Sequence, residues 1–247
     1  MSALDALRRL RRAALCIPLA CVAPVLHAGN FSVSPVRVQL SPRAPVAALT
    51  LNNAGDVPLT VQATGVAWTQ QGGEDQYAPT DELIVSPPLF TVPPHASQII
   101  RVGLRGAMPT DGERACRLFL REIPPPPAPG SVEVQMALQM NLPVFAQPAV
   151  AAAPKLNWSA RADGHKIVLR MANDGNAHVQ LTALRVTLGP SQVVYDQPLS
   201  LYLLPGSGHN LAISVPGEVV KLIQSLSVHA KTDAGPDINT TIAVPAQ

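Results

Sequence analysis

Residues 131–145, SVEVQMALQMNLPVF, constrain the fold more than any other stretch of the chain. Val132, Val134, Met136, Leu138, Met140 and Leu142 occupy every second position, with Glu133, Gln135, Ala137, Gln139 and Asn141 between them. Side chains of an extended chain point alternately to opposite faces, so a period of two predicts a β-strand with one apolar and one polar face. At about 3.3 Å per residue, 131–142 would span about 40 Å, whereas most strands have only about 5–6 residues. The stretch is nearly uncharged and carries no proline before Pro143. An apolar strand of this kind at a sheet edge invites association, and proteins usually blunt such edges. Two placements stay open: a central strand of a sandwich, or an edge strand kept apolar because it is lent to another protein.

Residues 1–28 hold Arg8, Arg9, Arg11 and Arg12, then an apolar run over 13–26, then small residues. That is the pattern of a secretory signal peptide, since the apolar run is too short to span a bilayer. Cleavage is expected after Ala28. Cys21 opens a lipoprotein alternative, which Pro18, Leu19 and Ala20 fit poorly. No later stretch is long and apolar enough to cross a membrane, so the expectation is an exported, soluble chain with no stable membrane insertion. Cys16 and Cys21 depart with the signal, leaving Cys116 without an intrachain disulfide partner.

The 247 residues include 26 Pro and 16 Gly, with 47% hydrophobic and 14% charged residues. This suits an all-β protein punctuated by proline, with enough apolar residues for a core. A net charge of +2 is too small to argue for nucleic acid or an anionic membrane, and neither is expected as a partner. Strands are expected at 31–40, 47–52, 59–68, 83–86, 98–104 and 116–123, ahead of the long one. Turn signals every 8–15 residues or so point to an immunoglobulin-like sandwich over 29–148. A small-residue linker at 149–154 precedes a second β pattern over 155–247, with strands at 155–160, 166–173, 179–188, 192–204, 210–215, 225–232 and 239–244. The fold class is all-β, two immunoglobulin-like β-sandwiches in tandem.

Signals for catalysis or cofactors do not emerge. His95, His165, His178, His209 and His229 form no pair at metal-ligand spacing and read as surface or loop residues. Gly72-Gly73 and 206–208 lack the strand-then-helix setting of phosphate loops, so they read as turns. No nucleophile-elbow motif occurs. No catalytic residue, metal site or cofactor is expected. Trp68 and Trp158 are each expected to fill the core of one sandwich, and Cys116 to be a small core residue.

Several pieces taken together resemble the periplasmic chaperones of the chaperone–usher pilus pathway, the PapD-like family. They are 87–94 (PPLFTVPP) with Gln98, Arg101 and Val102; then 118–124 (LFLREIP); then 137–145. The resemblance covers most of 31–148, and the C-terminal half matches only in size and β character. The start Val33-Ser34-Pro35-Val36-Arg37-Val38 and the ending Leu142-Pro143-Val144-Phe145 look more like the archaic, spore-coat-U-associated branch.

The resemblance implies a periplasmic protein that binds pilin subunits by donor-strand complementation and delivers them to an outer-membrane usher. Val132, Val134, Met136, Leu138 and Met140 would enter the subunit groove. Two basic residues would grip the subunit's C-terminal carboxylate. Arg37 matches the usual first-strand arginine, but Pro143 stands where the usual lysine would be. The archaic arrangement points instead to Arg117 and Lys155, with Arg37 as a third candidate. The readings from other classes are a secreted structural or adhesive β-sandwich protein, with the long strand buried in its own sheet, and a secreted hydrolase.

Overall fold

The computed structural model describes residues 31–126, 136–189, 191–216, 220, 223–233 and 235–245. The expected signal peptide, Val132 and Val134 lie outside the described residues. Among those described, the regular elements are seventeen β-strands in four sheets.

The first ten are β1 (Phe31–Ser34), β2 (Val38–Leu40), β3 (Val46–Asn53), β4 (Leu59–Gln71), β5 (Glu74–Pro79), β6 (Leu83–Ser86), β7 (Leu89–Val92), β8 (Ser97–Leu104), β9 (Arg114–Glu122) and β10 (Gln139–Ala146). One sheet runs β1-β3-β8-β6; the other runs β2-β10-β9-β4-β5, with β7 also paired to β4. Period two governs which side chains meet between them: Ile100 and Val102 of β8 are fully buried, while Ile99 and Arg101 face outward. Leu49, Leu51, Val61, Leu118 and Leu120 complete the same core, and Cys116 lies within it as expected.

Three expectations change here. The alternation over 31–40 is not one strand: β1 and β2 join different sheets, and Val36 is exposed. Pro35 fixes its own backbone and has no N–H to extend a ladder, so the chain leaves one sheet and enters the other. The β5 strand is new, and every one of its residues is exposed, so hydrophobic periodicity gave no signal for it. Finally, among the described residues the paired part of the long strand leaves out 136–138 and runs from Gln139 through Pro143 to Ala146. Its neighbour β9 ends at Glu122, which bonds Leu138, and among the described residues no ladder partner is found further back.

The last seven strands are β11 (Leu156–Asp163), β12 (Lys166–Asn173), β13 (Val179–Leu188), β14 (Gln192–Leu203), β15 (Gly208–Ser214), β16 (Ser225–Thr232) and β17 (Ile238–Ala243). Sheets β11-β12-β15 and β14-β13-β16-β17 enclose Ile167, Leu169, Met171, Leu181, Leu184 and Val186. Trp158, expected to fill this core, is partly buried and packs against it. Trp68 does not fill the first core; it sits in a third, smaller cluster between the sandwiches with Ala115, Phe145 and Leu204.

Each sandwich buries one asparagine at the start of a turn. The Asn53 amide donates to Val57, Val92 and Pro93 carbonyls, and its oxygen accepts from Gly55 N–H. Asn173 is fully buried; it donates to Ala177 and Leu203 and accepts from the N–H groups of Lys155 and Gly175. A Cβ on Gly175 would come within 2.4 Å of the Ala153 carbonyl, so only glycine lets the segment leading into β11 lie this close. Asn176 ties that segment to the first sandwich, donating to the carbonyls of Asp111 and Ala151.

Candidate functional site

Two features of the first sandwich could engage a partner. The first is the edge of β10. Its parallel neighbour β2 covers only Val144–Ala146, while β9 pairs along Gln139–Ala146. Glu122 N–H donates to the Leu138 carbonyl, so in this antiparallel register the even-numbered residues bond toward β9. Gln147 N–H donates to Leu40 on the β2 side, in keeping with odd residues pointing the other way. The backbone groups of Gln139 and Asn141 therefore face a side where no described strand lies. Pro143 also points there, so its missing N–H removes nothing from the ladder to β9.

The side chains agree. Leu142 and Val144 point into the first core, and Met140 packs half-buried against it. Leu138, opposite the last residue of β9, and Met136, past it, continue the same parity outside the residues that make up or pack against the first core; Met136 is 79% exposed and Leu138 40%. An apolar row thus runs out of the protein's own core along a strand with an open backbone edge. Of the five side chains expected to enter a groove, Met136 stands clear, Leu138 is partly exposed, Met140 packs against the core, and Val132 and Val134 lie outside the described residues.

The second feature is the cleft behind that strand. On the face of the sheet opposite the first core, Phe145, Ala115 and Trp68 form one row across β10, β9 and β4, and Pro143, Arg117 and Val66 form the next. Leu204 and Tyr202 of the second sandwich cover the first row. His178 stacks on Phe145 and accepts or donates at Glu113 Oε1, 2.6 Å from its Nδ1. His178 was expected at the surface or in a loop; it lies in the turn before β13, with its side chain only 9% exposed. Gln70 crosses as well, accepting from Leu204 N–H and the Ser207 hydroxyl and donating to the Tyr202 carbonyl.

Arg117 is 8% exposed, the one cation among the buried polar residues described. Its guanidinium carbon lies 3.6 Å from the Trp68 ring centre and 5.3 Å from that of Tyr202, a cation–π geometry. Its Nη2 is 3.7 Å from Asp75 Oδ2, and its Nε has no hydrogen-bond partner. A cavity of about 390 Å³ opens beside it, bounded by Gln70, Glu74, Asp75, Ser200 and Tyr202. Arg37 reaches Tyr202 from another direction, 5.7 Å from the ring centre. It donates to Tyr202 Oη at 3.2 Å and Gln180 Oε1 at 2.6 Å and is ion-paired with Asp233. Lys155 is exposed and shares no contact with either arginine; its backbone is held by Asn173 and Asp174. Burial thus sets Arg117 apart, whereas Arg37 is already taken up by the second sandwich.

Among the described residues no cluster of His, Cys, Asp and Glu could hold a metal ion, and no helix is long and apolar enough to cross a membrane.

The family profile described as pili and flagellar-assembly chaperone, PapD N-terminal domain, matches residues 30–152. A comparison with curated protein sequences found no match. Several solved structures share the fold. The complex of chaperone CsuC with the tip subunit CsuE, from archaic chaperone-usher Csu pili of Acinetobacter baumannii, aligns with a TM-score of 0.65 at 22% identity, covering 87% of this chain and 99% of that one. The Salmonella enterica SafA pilin–SafB chaperone complex aligns at 0.60 and 19% identity, covering 87% and 97%. The Pseudomonas aeruginosa CupB2 chaperone aligns at 0.55 and 18%, covering 86% and 100%.

Proposed function

Because residues 30–152 belong to the family of PapD-type pilus-assembly chaperones, we propose that this protein captures pilus subunits by lending them the N-terminal part of its β10 strand. Strand addition to an incomplete sheet supplies main-chain hydrogen bonds for affinity and alternate side chains for specificity, and chaperone–pilin complexes are an established instance of it. The observation that carries the reading is the open edge at Gln139 and Asn141, together with Met136 and Leu138 exposed in line with the protein's own core. Val132, Val134 and Met140 share the same alternation in the sequence. Burying each aliphatic side chain is worth about 1.5–3 kcal/mol, enough for a short row to hold a subunit. Methionine is unbranched and adapts to pockets of different shape. Such capture needs no chemical step.

Arg117 is the leading anchor for the subunit's C-terminal carboxylate. A buried guanidinium with an unfilled donor beside an open cavity gains charge-assisted hydrogen bonds from such a ligand. Lys155 supplies a second charge from the segment leading into β11, and Arg37 the third candidate. The likeness to the Csu chaperone, and the proline at position 143, favour the archaic branch. Export by the signal at 1–28 would place the protein in the periplasm, where the loaded complex would meet an outer-membrane usher.

Co-expression with a pilin from the same chromosomal neighbourhood, followed by affinity recovery from the periplasm, tests this. Pilin should co-purify with the native chain and be lost with Leu138→Glu. Recovery unchanged by that substitution would contradict strand lending. Arg117→Ala, Lys155→Ala and Arg37→Ala, each checked for folding by circular dichroism, separate the anchors. Loss confined to Arg37→Ala would overturn the assignment to Arg117.

A further inference from the structure

We propose that Asp75 is a built-in stand-in for the carboxylate that Arg117 receives, so that the unloaded protein covers its own anchor. The proposal rests on the reading of Arg117 as that anchor.

Buried and stacked on Trp68, Arg117 holds its Nη2 3.7 Å from Asp75 Oδ2. That is an ion-pair contact but too long for a hydrogen bond, and the Nε donor is unfilled. A buried guanidinium left this loosely paired favours any carboxylate that can bond it directly. The cavity bounded by Gln70, Glu74, Asp75, Ser200 and Tyr202 gives such a ligand a way in.

Asp75 can yield its place without being stranded. Gln70 Nε2 donates to its Oδ1 at 2.9 Å, and Tyr77 Oη donates to its Oδ2 at 3.0 Å. Both donors stay on the β4–β5 hairpin when Arg117 changes partner. Burial, and then the bond to Asp75, raise the Tyr77 pKa above its ordinary value, so the phenol remains a donor. Glu74 borders the same cavity but makes none of the ion pairs found among the described residues.

The consequence is selectivity. A free carboxylate must displace Asp75 with nothing else to hold it. A subunit already paired along β10 presents its carboxylate at high effective concentration and displaces Asp75 readily. The cover thus favours ligands that engage both parts of the site.

The test is an acetate titration of the mature protein, following the Arg117 Nε–H resonance assigned with Arg117→Ala, with sodium chloride as the ionic-strength control. Asp75→Asn should bind acetate about two- to fivefold more tightly than the native chain, the range of a part-exposed ion pair. Asp75→Ser, with thermal melts of both variants, guards against a folding defect. Glu74→Gln removes the same charge from the same cavity and should have a smaller effect. Equal gains for Glu74→Gln and Asp75→Asn would overturn the stand-in, because charge alone would account for both. A responding Arg117 with no gain in Asp75→Asn also overturns it while leaving the anchor intact. An Arg117 resonance indifferent to acetate in every variant overturns the anchor, and the stand-in with it.

Discussion

The imidazole of His178 lies flat on the ring of Phe145, with ring centres 3.4 Å apart and planes 6° apart. Phe145 comes from the strand that offers its edge, and His178 from the turn that opens β13, so the contact joins the two sandwiches immediately behind the site. Trp68 and Tyr202 close over the same ring, 5.8 Å from it in each case. Phe145→Ala should cost about 3–5 kcal/mol, the usual range for emptying a buried aromatic site. Chemical denaturation of native and variant protein measures it; a loss below about 1 kcal/mol would mean that the junction contributes little.

Asn173→Ala removes four hydrogen bonds at the turn that receives the segment between the sandwiches. Unfilled buried partners cost about 1–3 kcal/mol each, partly relieved by relaxation, so a loss on the order of 2–4 kcal/mol is expected. The same denaturation experiment checks it. Asn173→Asp keeps an acceptor for Lys155 and Gly175 but sets a buried carboxylate oxygen against the Ala177 and Leu203 carbonyls, so it should be no more stable than alanine.

Cys116 gives a pH-dependent prediction. Burial, reinforced by Glu82 and opposed by Arg114, pushes its thiol up from 9.0 to about 11. The folded state then holds the proton more tightly than the unfolded state. Its contribution to stability is complete below pH 9 and is lost as the pH rises from 9 toward 11. At pH 8 the folded protein should resist thiol-directed alkylation, and label rapidly only after denaturant is added. Fast labelling of native protein would show that Cys116 is not held in the core.

Much of this architecture was legible because buried strands announce themselves by period two. Val46–Asn53, Leu59–Gln71 and Arg114–Glu122 fall within two or three residues of where alternation put them. What alternation could not give is the number of sheets a run serves, since Pro35 divides 31–40 between two. Nor could it find Glu74–Pro79, where no side chain is buried. At the site, the parity of Met136 and Leu138 was readable, but where β9 ends, and hence where the apolar row leaves the core, depends on pairing between distant segments. Trp68 was misplaced, and the burial of the loop residue His178 missed, for a related reason. Each faces away from its own sandwich's core, and only the docking of one sandwich on the other buries them.

Leu138→Glu separates lending from burial. At 40% exposure and opposite the last residue of β9, Leu138 is not among the residues of the first core, so stability should change by less than about 1 kcal/mol. Leu142→Glu, two turns of the same alternation further on and 4% exposed, should unfold the first sandwich. Thermal melts of the two variants compare them directly; equal destabilisation would place Leu138 in the core.

The most direct measurement is residue-resolved amide hydrogen exchange along β10, with and without bound pilin. In the free protein Met140 and Leu142 N–H groups, directed at β9, should exchange slowly, and those of Gln139 and Asn141, directed at the open edge, quickly. Strand lending predicts that pilin slows Gln139 and Asn141 by orders of magnitude while their even-numbered neighbours change little. Pilin binding that leaves Gln139 and Asn141 as fast as before would contradict it.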